Sequence, residues 1–314
     1  MQAIVEVKQG NVVVEQAENI NVLFDKWAAY LDTTPRTFRA YTSNMRLFLQ
    51  WLASKGIQEP TRDSVKQYKE ELLASYKPNT VNAYLMALKQ FFKWAEQEGL
   101  YSNIMQGVKA CKLDKGFKKD YLTGRQAGKV LGNINTDTEQ GLRDYAMCAL
   151  MLTTGLRTIS IANANIEDIR PIGEQAGLFY QGKGHTEKAK CVKLAEQVED
   201  AIRAYLAARG KVSSKSPLFA SLDHKNKGGR MTTRSISRIA KLALEGAGYR
   251  SDKLTAHSFR HTAATLALKA GAKETEVQQM LDHANINTTM IYSHAIEREK
   301  NNTELKVAGA IFGA

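Results

Sequence analysis

Four short stretches of this chain carry residue types that suit phosphoryl transfer: Thr154-Gly155-Leu156-Arg157, Gly182-Lys183-Gly184, His257-Ser258-Phe259-Arg260, and His283 followed nine residues later by Tyr292. Breaking a phosphodiester without a metal ion sets definite requirements. Negative charge grows on the non-bridging oxygens, and two guanidinium forks meet it better than ammonium groups. A nucleophile must be supplied, and a phenol, with a free pKa of about 10, serves if neighbouring cations pull that value down. The departing oxygen needs a proton, which a mobile lysine in a cationic site can give. His257 and Arg260 lie three residues apart, so they share one helical face and can meet the same phosphate.

Each piece alone also has a plainer role. An arginine after a glycine helix cap commonly answers the helix dipole, a Gly-Lys-Gly tip is commonly only a turn, and a tyrosine in a helix commonly packs. His257 and His261 have the i, i+4 spacing of a zinc pair, but no glutamate stands between them and no cysteine is near. Metal is therefore not expected.

The elements that must position these groups form two blocks. The chain of 314 residues is long enough for two domains, and its 43% apolar content can fill real cores. In the first block, Thr33-Thr34-Pro35 starts a helix on which Phe38, Tyr41, Met45, Phe48, Leu49 and Leu52 turn inward, and Gly56 ends it. Its other face carries Arg36, Arg39, Ser43 and Arg46. A second helix follows Lys77-Pro78, with Val81, Tyr84, Leu85, Leu88, Phe92 and Ala95 inward and Asn79, Asn82, Lys89 and Lys93 largely opposite. Shorter helical segments run from Val22 to Leu31 and from Ser64 to Ala74. Cations mixed with short hydrogen-bonding residues suit phosphate contact and groove probing, so these eight residues are the candidate DNA contacts.

A basic stretch, Lys109 to Lys119, joins the blocks. The second block opens near Tyr121-Leu122-Thr123 with a helix from Glu139 stopping at Gly155 and a short helix after it. Strand-like runs Gly177–Gln181 and Lys190–Leu194 flank the Gly-Lys-Gly tip, so Lys183 would ride on a hairpin. Helical periodicity then returns over Glu196–Ala207, Thr233–Glu245, Ala256–Ala270, Glu274–Leu281 and Thr288–His294.

Forty-four Lys and Arg against 32 Asp and Glu give a net charge of +12, which favours polyanionic partners. Three widely spaced cysteines suit a reducing compartment, and neither a signal-peptide pattern nor an apolar run of about 20 residues is present. A cytoplasmic, nucleoid-associated protein is expected.

The order of the pieces is more specific than any one of them. "LTTGLR", "QGKGHTEK", "LTAHSFRHTAAT" and "LDHANINTTMIYSH" resemble the catalytic boxes of the tyrosine recombinase (lambda-integrase) family, compact Xer-like type. "TFRAYTSNMRLFLQWLASKG" and "NTVNAYLMALKQFFKWAEQEGL" are similar to that family's helical core-binding module. The resemblance implies a mainly α (α+β) protein: a SAM-like core-binding domain over 21–106, a basic linker over 107–121 and a catalytic domain over 122–303 with a small β-hairpin sheet. Residues 1–20 would be an extension, with Val5, Val7, Val12 and Val14 able to pair as strands, and 304–314 an apolar tail that docks on a neighbouring subunit or on its own domain. By resemblance, Arg157 and Arg260 clamp the scissile phosphate, Lys183 is the general acid, His257 assists proton transfer, His283 bonds the phosphate and Tyr292 attacks to give a 3′-phosphotyrosyl link. No metal, ATP or other cofactor is implied. The implied partners are double-stranded DNA with inverted-repeat core sites, a tetramer of this chain or a related recombinase on two sites, and accessory DNA-bending or excisionase proteins. Two departures stand out. The family's usual acidic residue after the first arginine is Ser160 here, and its usual glycine before the histidine is Asp282. Reduced or more tightly regulated activity is expected from them. A relative that only binds DNA, a type IB topoisomerase and a metal-dependent nuclease are the rival readings.

Overall fold

The computed structural model describes residues 20–113, 120–182 and 187–313. Lys183, the lysines of the linker beyond 113 and the valine pairs of the N-terminal extension lie outside the described residues. The chain divides into two compact units, Met1–Gly116 and Phe117–Ala314.

The first unit is a bundle of α1 (Ile20–Tyr30), α2 (Pro35–Ser54), α3 (Arg62–Ser75) and α4 (Pro78–Gln97). Its helix starts follow capping chemistry. Thr34 accepts from the Thr37 amide ahead of Pro35, and Thr61 and Ser64 cap α3 reciprocally. The core is aromatic, with Trp27, Phe48, Phe91 and Phe92 fully buried and Trp27 meeting Phe91 edge to face at 5.5 Å. Phe38, expected inward, is 37% exposed in the first turn of α2.

The second unit holds α5 (Gly124–Gly132), α6 (Glu139–Thr154), α7 (Thr158–Asn163), β1 (Ile169–Ile172), β2 (Gln175–Tyr180), β3 (Lys190–Lys193), α8 (Glu196–Arg209), α9 (Thr233–Gly246), α10 (Ala256–Lys269), α11 (Glu274–Leu281), α12 (Asn287–Lys300) and α13 (Thr303–Phe312). The nearly apolar run of α6 explains its place at the centre, where it packs on α5, α8, α9 and α10. The expected hairpin is a three-stranded antiparallel sheet in the order β1-β2-β3. Its extra strand, Ile-Arg-Pro-Ile, is short and proline-containing, and it occupies an edge, where proline is tolerated. Register pairs Leu178 with Val192 and Tyr180 with Lys190. Among the described residues no helix is long and apolar enough to cross a membrane.

Candidate active site

The Thr154-Gly155-Leu156-Arg157 turn is built by the end of α6. Gly155 caps that helix in the left-handed region (φ 64°) and sends the chain back so that Arg157 stands at the head of α7. Space as well as backbone conformation requires glycine here, because a Cβ would come within 2.5 Å of Leu281 Cδ2. That closeness lets α6, α10 and the end of α11 meet at one point.

Arg260, on the second turn of α10, pins the meeting point. It is buried, its Nη1 donates to the Gly155 carbonyl at 2.7 Å, and its Nη2 donates to the Leu281 carbonyl. Burial pulls this guanidinium down to about 10, with Arg157 adding to the effect, and it stays charged at neutral pH. Arg157 is held from the same loop. Its Nη2 donates to the Asp282 carbonyl at 3.2 Å, and its Nη1 lies 3.7 Å from the Asp282 carboxylate. Among the described residues its partner is thus Asp282 rather than Ser160, which is buried one turn into α7.

Asp282 ends α11 at φ 51°, the one non-glycine residue of positive φ among the described residues. A glycine would take this conformation without strain, and aspartate is among the few residues that also adopt it. The chain then stitches itself back: the His283 amide donates to Gln278 O at 3.1 Å, and Gln278 Nε2 donates to His283 O at 3.0 Å. His283 Nδ1 shares a 2.8 Å hydrogen bond with Thr289 Oγ1, which fixes the ring and leaves Nε2 as its other polar atom. Burial, reinforced by Arg260 and Arg157, depresses its pKa to about 4, so the ring is neutral at pH 7.

Tyr292 is buried on α12, and its ring meets His261 edge to face at 5.2 Å. His261 in turn meets His257 at 4.6 Å, so three rings run from the exposed start of α10 to the phenol. Arg157, His257, Arg260, His261, Asp282, His283 and Tyr292 together line one cavity of about 620 Å³. Five of the six residues expected to act on phosphate therefore converge within a single unit; the sixth, Lys183, lies outside the described residues. One electrostatic expectation needs correcting. The arginines do pull the Tyr292 pKa down, but burial outweighs them and the net shift is upward. Tyr180, close enough to feel both arginines, is pushed up to about 12 by burial.

Sequence reasoning missed Lys190, which also lines the cavity, its Nζ 3.3 Å from Asp282 Oδ1. Strand alternation signalled it. Lys190 lies on the same strand face as buried Val192 two residues on, and its side chain, though exposed, lines the cavity.

Of the eight candidate DNA contacts, Arg36, Arg39, Ser43 and Arg46 are exposed on α2, and Asn79, Lys89 and Lys93 are exposed on α4. Arg46 lies 5.2 Å over the Phe24 ring. Asn44 Nδ2 donates to Ala83 O at 3.2 Å, tying the middle of α2 to the first half of α4. Asn82 departs from the expected pattern. It is half-buried, and both ends of its amide are used on the Cys111 backbone, at 3.0 and 2.7 Å. It braces the chain leaving the bundle rather than offering itself outward.

The Phage integrase family profile matches residues 120–299, and the N-terminal SAM-like domain of phage integrases matches residues 24–99. The chain belongs to the phage integrase family. Among its relatives, Tyrosine recombinase XerC of Corynebacterium efficiens is 33% identical over 171 residues, which are 54% of this chain and 52% of that protein. The chain thus spans about half the length of that relative, whereas the match to Tyrosine recombinase XerD of Bifidobacterium longum, 32% identical, covers 82% of this chain and 86% of the relative. In fold it is similar to XerH site-specific recombinase bound to palindromic difH substrate (TM-score 0.70, 20% identity, 88% of this chain and 80% of that one). It is likewise similar to a lambda integrase dimer bound to a COC′ core site (TM-score 0.69, 15% identity, 86% and 97%). Both family profiles fall within the separate units, one on each.

Proposed function

We propose that this family member is a site-specific DNA recombinase that cuts and rejoins strands through a covalent bond to Tyr292, without metal or ATP. The observation that carries the reading is the convergence of Arg157, His257, Arg260, His283 and Tyr292 on one cavity. Two guanidinium groups and a neutral imidazole suit a phosphate whose charge grows in the transition state. The Tyr292 phenol gives up its proton, with His257 as the nearby group assigned to take it, as its oxygen attacks phosphorus; the bond to the 5′ oxygen breaks, and a 3′-phosphotyrosyl link forms as the leaving oxygen takes a proton. Lys183 is assigned as the donor of that proton, with His257 assisting. Attack by the 5′ hydroxyl of another strand reverses the steps and frees the phenol. The bond energy is retained in the link, so nothing is oxidised or reduced and no nucleotide is spent.

The substrate is double-stranded DNA bearing inverted core sites. It is gripped by the exposed cations of α2 and α4 in the first unit, with four protomers on two sites. The apolar side chains of α13 support docking of the tail on a neighbouring protomer. Leu305, Ile311 and Phe312 are 68–81% exposed and so do not pack on their own domain. Integration or excision of a mobile element and Xer-type dimer resolution use the same chemistry. Flanking repeats and an adjacent excisionase-like gene mark the first.

The test begins by selecting a bound core site from a random duplex pool. Incubation with that site carrying a nick near the cleavage position traps protein on DNA, visible on a denaturing gel and insensitive to EDTA. Tyr292→Phe abolishes the adduct while binding persists. Adduct formation by Tyr292→Phe overturns the assignment. EDTA sensitivity returns the metal-nuclease reading, and relaxation of a plasmid without the site returns the topoisomerase reading.

A further inference from the structure

We propose that the Asp282 carboxylate is a resident counter-anion of Arg157 and Lys190, standing where an incoming phosphate must make its contacts, so that DNA binding exchanges one anion for another. The inference rests on reading the cavity as a phosphate site. Oδ1 lies 3.3 Å from Lys190 Nζ and Oδ2 lies 3.7 Å from Arg157 Nη1, so one carboxylate spans a cation from β3 and a cation from the turn after α6. The Asp282 carbonyl takes the second Arg157 nitrogen at 3.2 Å, and the side chain is only 18% exposed.

Those contacts matter because the cavity gathers like charges. The Arg157 charge already depresses the pKa of Arg260, a sign that the two repel across the site. Before DNA arrives, a carboxylate between Arg157 and Lys190 offsets that repulsion and holds both side chains facing the cavity. Once a phosphate arrives, the same carboxylate is a negative charge beside it. Its distances of 3.3 and 3.7 Å are longer than those of tight charge-assisted hydrogen bonds, as suits a partner that must give way. Asp282 would therefore be a positioning residue that weakens anion binding, trading affinity for order in the DNA-free enzyme.

The full-length protein is titrated with inorganic phosphate at fixed ionic strength, following the ³¹P signal, for wild type, Asp282→Asn, Asp282→Gly and a control of equal charge change, Asp200→Asn, at an exposed position of α8. Asparagine and glycine both take the left-handed conformation, so neither variant strains the loop. The expected result is phosphate binding tightened roughly three- to tenfold in both Asp282 variants, the effect of removing one like charge from a partly screened site, with the control unchanged. A purely structural role for Asp282 moves affinity the other way, since Arg157 loses its support. Equal or weaker binding in the Asp282 variants overturns the proposal, and so does equal tightening by the control or no binding to any form. The nicked-duplex assay is run in parallel on wild type. An adduct together with unchanged phosphate affinity removes the counter-anion alone, whereas failure to form an adduct removes the recombinase reading.

Discussion

The ring of His261 meets the ring of Tyr292 edge to face, centroids 5.2 Å apart and planes inclined by 63°. Such pairs contribute beyond simple burial, and here the contact also limits where the phenol can swing. His261→Ala opens a void beside the phenol. The expected cost is about 1–3 kcal/mol in urea unfolding, with adduct formation slowed about tenfold or more as Tyr292 loses its stop. His261→Phe keeps a ring edge there and restores most of both. If phenylalanine fails to rescue the rate while restoring stability, the imidazole acts through its nitrogens instead of its shape.

Two imidazoles that line the cavity have a pH signature. His261 and His283 are both held near pKa 4, chiefly by burial, against about 6.5 in the unfolded chain. A depressed folded pKa means the unfolded chain binds the proton first. Stability from these groups is fully present above about pH 6.5 and is lost as pH falls towards 4. Both rings are partly solvent-exposed, so the loss is of order 1 kcal/mol each after screening. Imidazole proton shifts followed by NMR should find His261 and His283 still unprotonated at pH 5. Titration of both near 6.5 removes this account.

Gly155 joins helix geometry to chemistry. With φ at 64° and a would-be Cβ 2.5 Å from Leu281 Cδ2, Gly155→Ala both strains the backbone and crowds the residue whose carbonyl Arg260 grips. A loss of about 1–3 kcal/mol is expected, with a larger proportional loss of adduct formation than of DNA binding measured by gel shift. Wild-type cleavage by the alanine variant would show that the three elements need not approach so closely.

The outward side of α13 gives a prediction of opposite character. Replacing Ile311 and Phe312 with serine leaves the unfolding midpoint of the isolated protein nearly unchanged, within about 0.5 kcal/mol, because neither side chain is buried. Assembly of several protomers on DNA, followed by light scattering, is weakened. A marked loss of monomer stability would mean that the tail packs on its own domain.

Much of this was legible before any coordinates. The boxes around Arg157, His257, Arg260, His283 and Tyr292 could be read because each puts its reactive group beside a local signal, a glycine cap or a helix face. The folded chain had only to bring the boxes together. What escaped was set by long-range pairing. β1 is four residues with a proline, too short for periodicity to show, and exists because β2 offers it a partner. α5, rich in glycine, is announced only by its Thr123–Gln126 capping box. α12 runs on to Lys300, past the stretch in which apolar residues recur. The bridge from Asp282 to Lys190 joins residues that sequence treats as unrelated. The upward shift of Tyr292 was misjudged because counting cations says nothing of burial.

Only Asn301 and Asn302 separate α12 from α13, and the Arg298–Glu304 ion pair spans them. A joint that short has little slack. Tension applied to the tail by a neighbour would travel along α12 as along a lever arm, with the phenol a little over two turns back from the fulcrum. Under the proposed docking, capture of the tail and alignment of the attacking oxygen would be one mechanical event, and lengthening the joint would uncouple them.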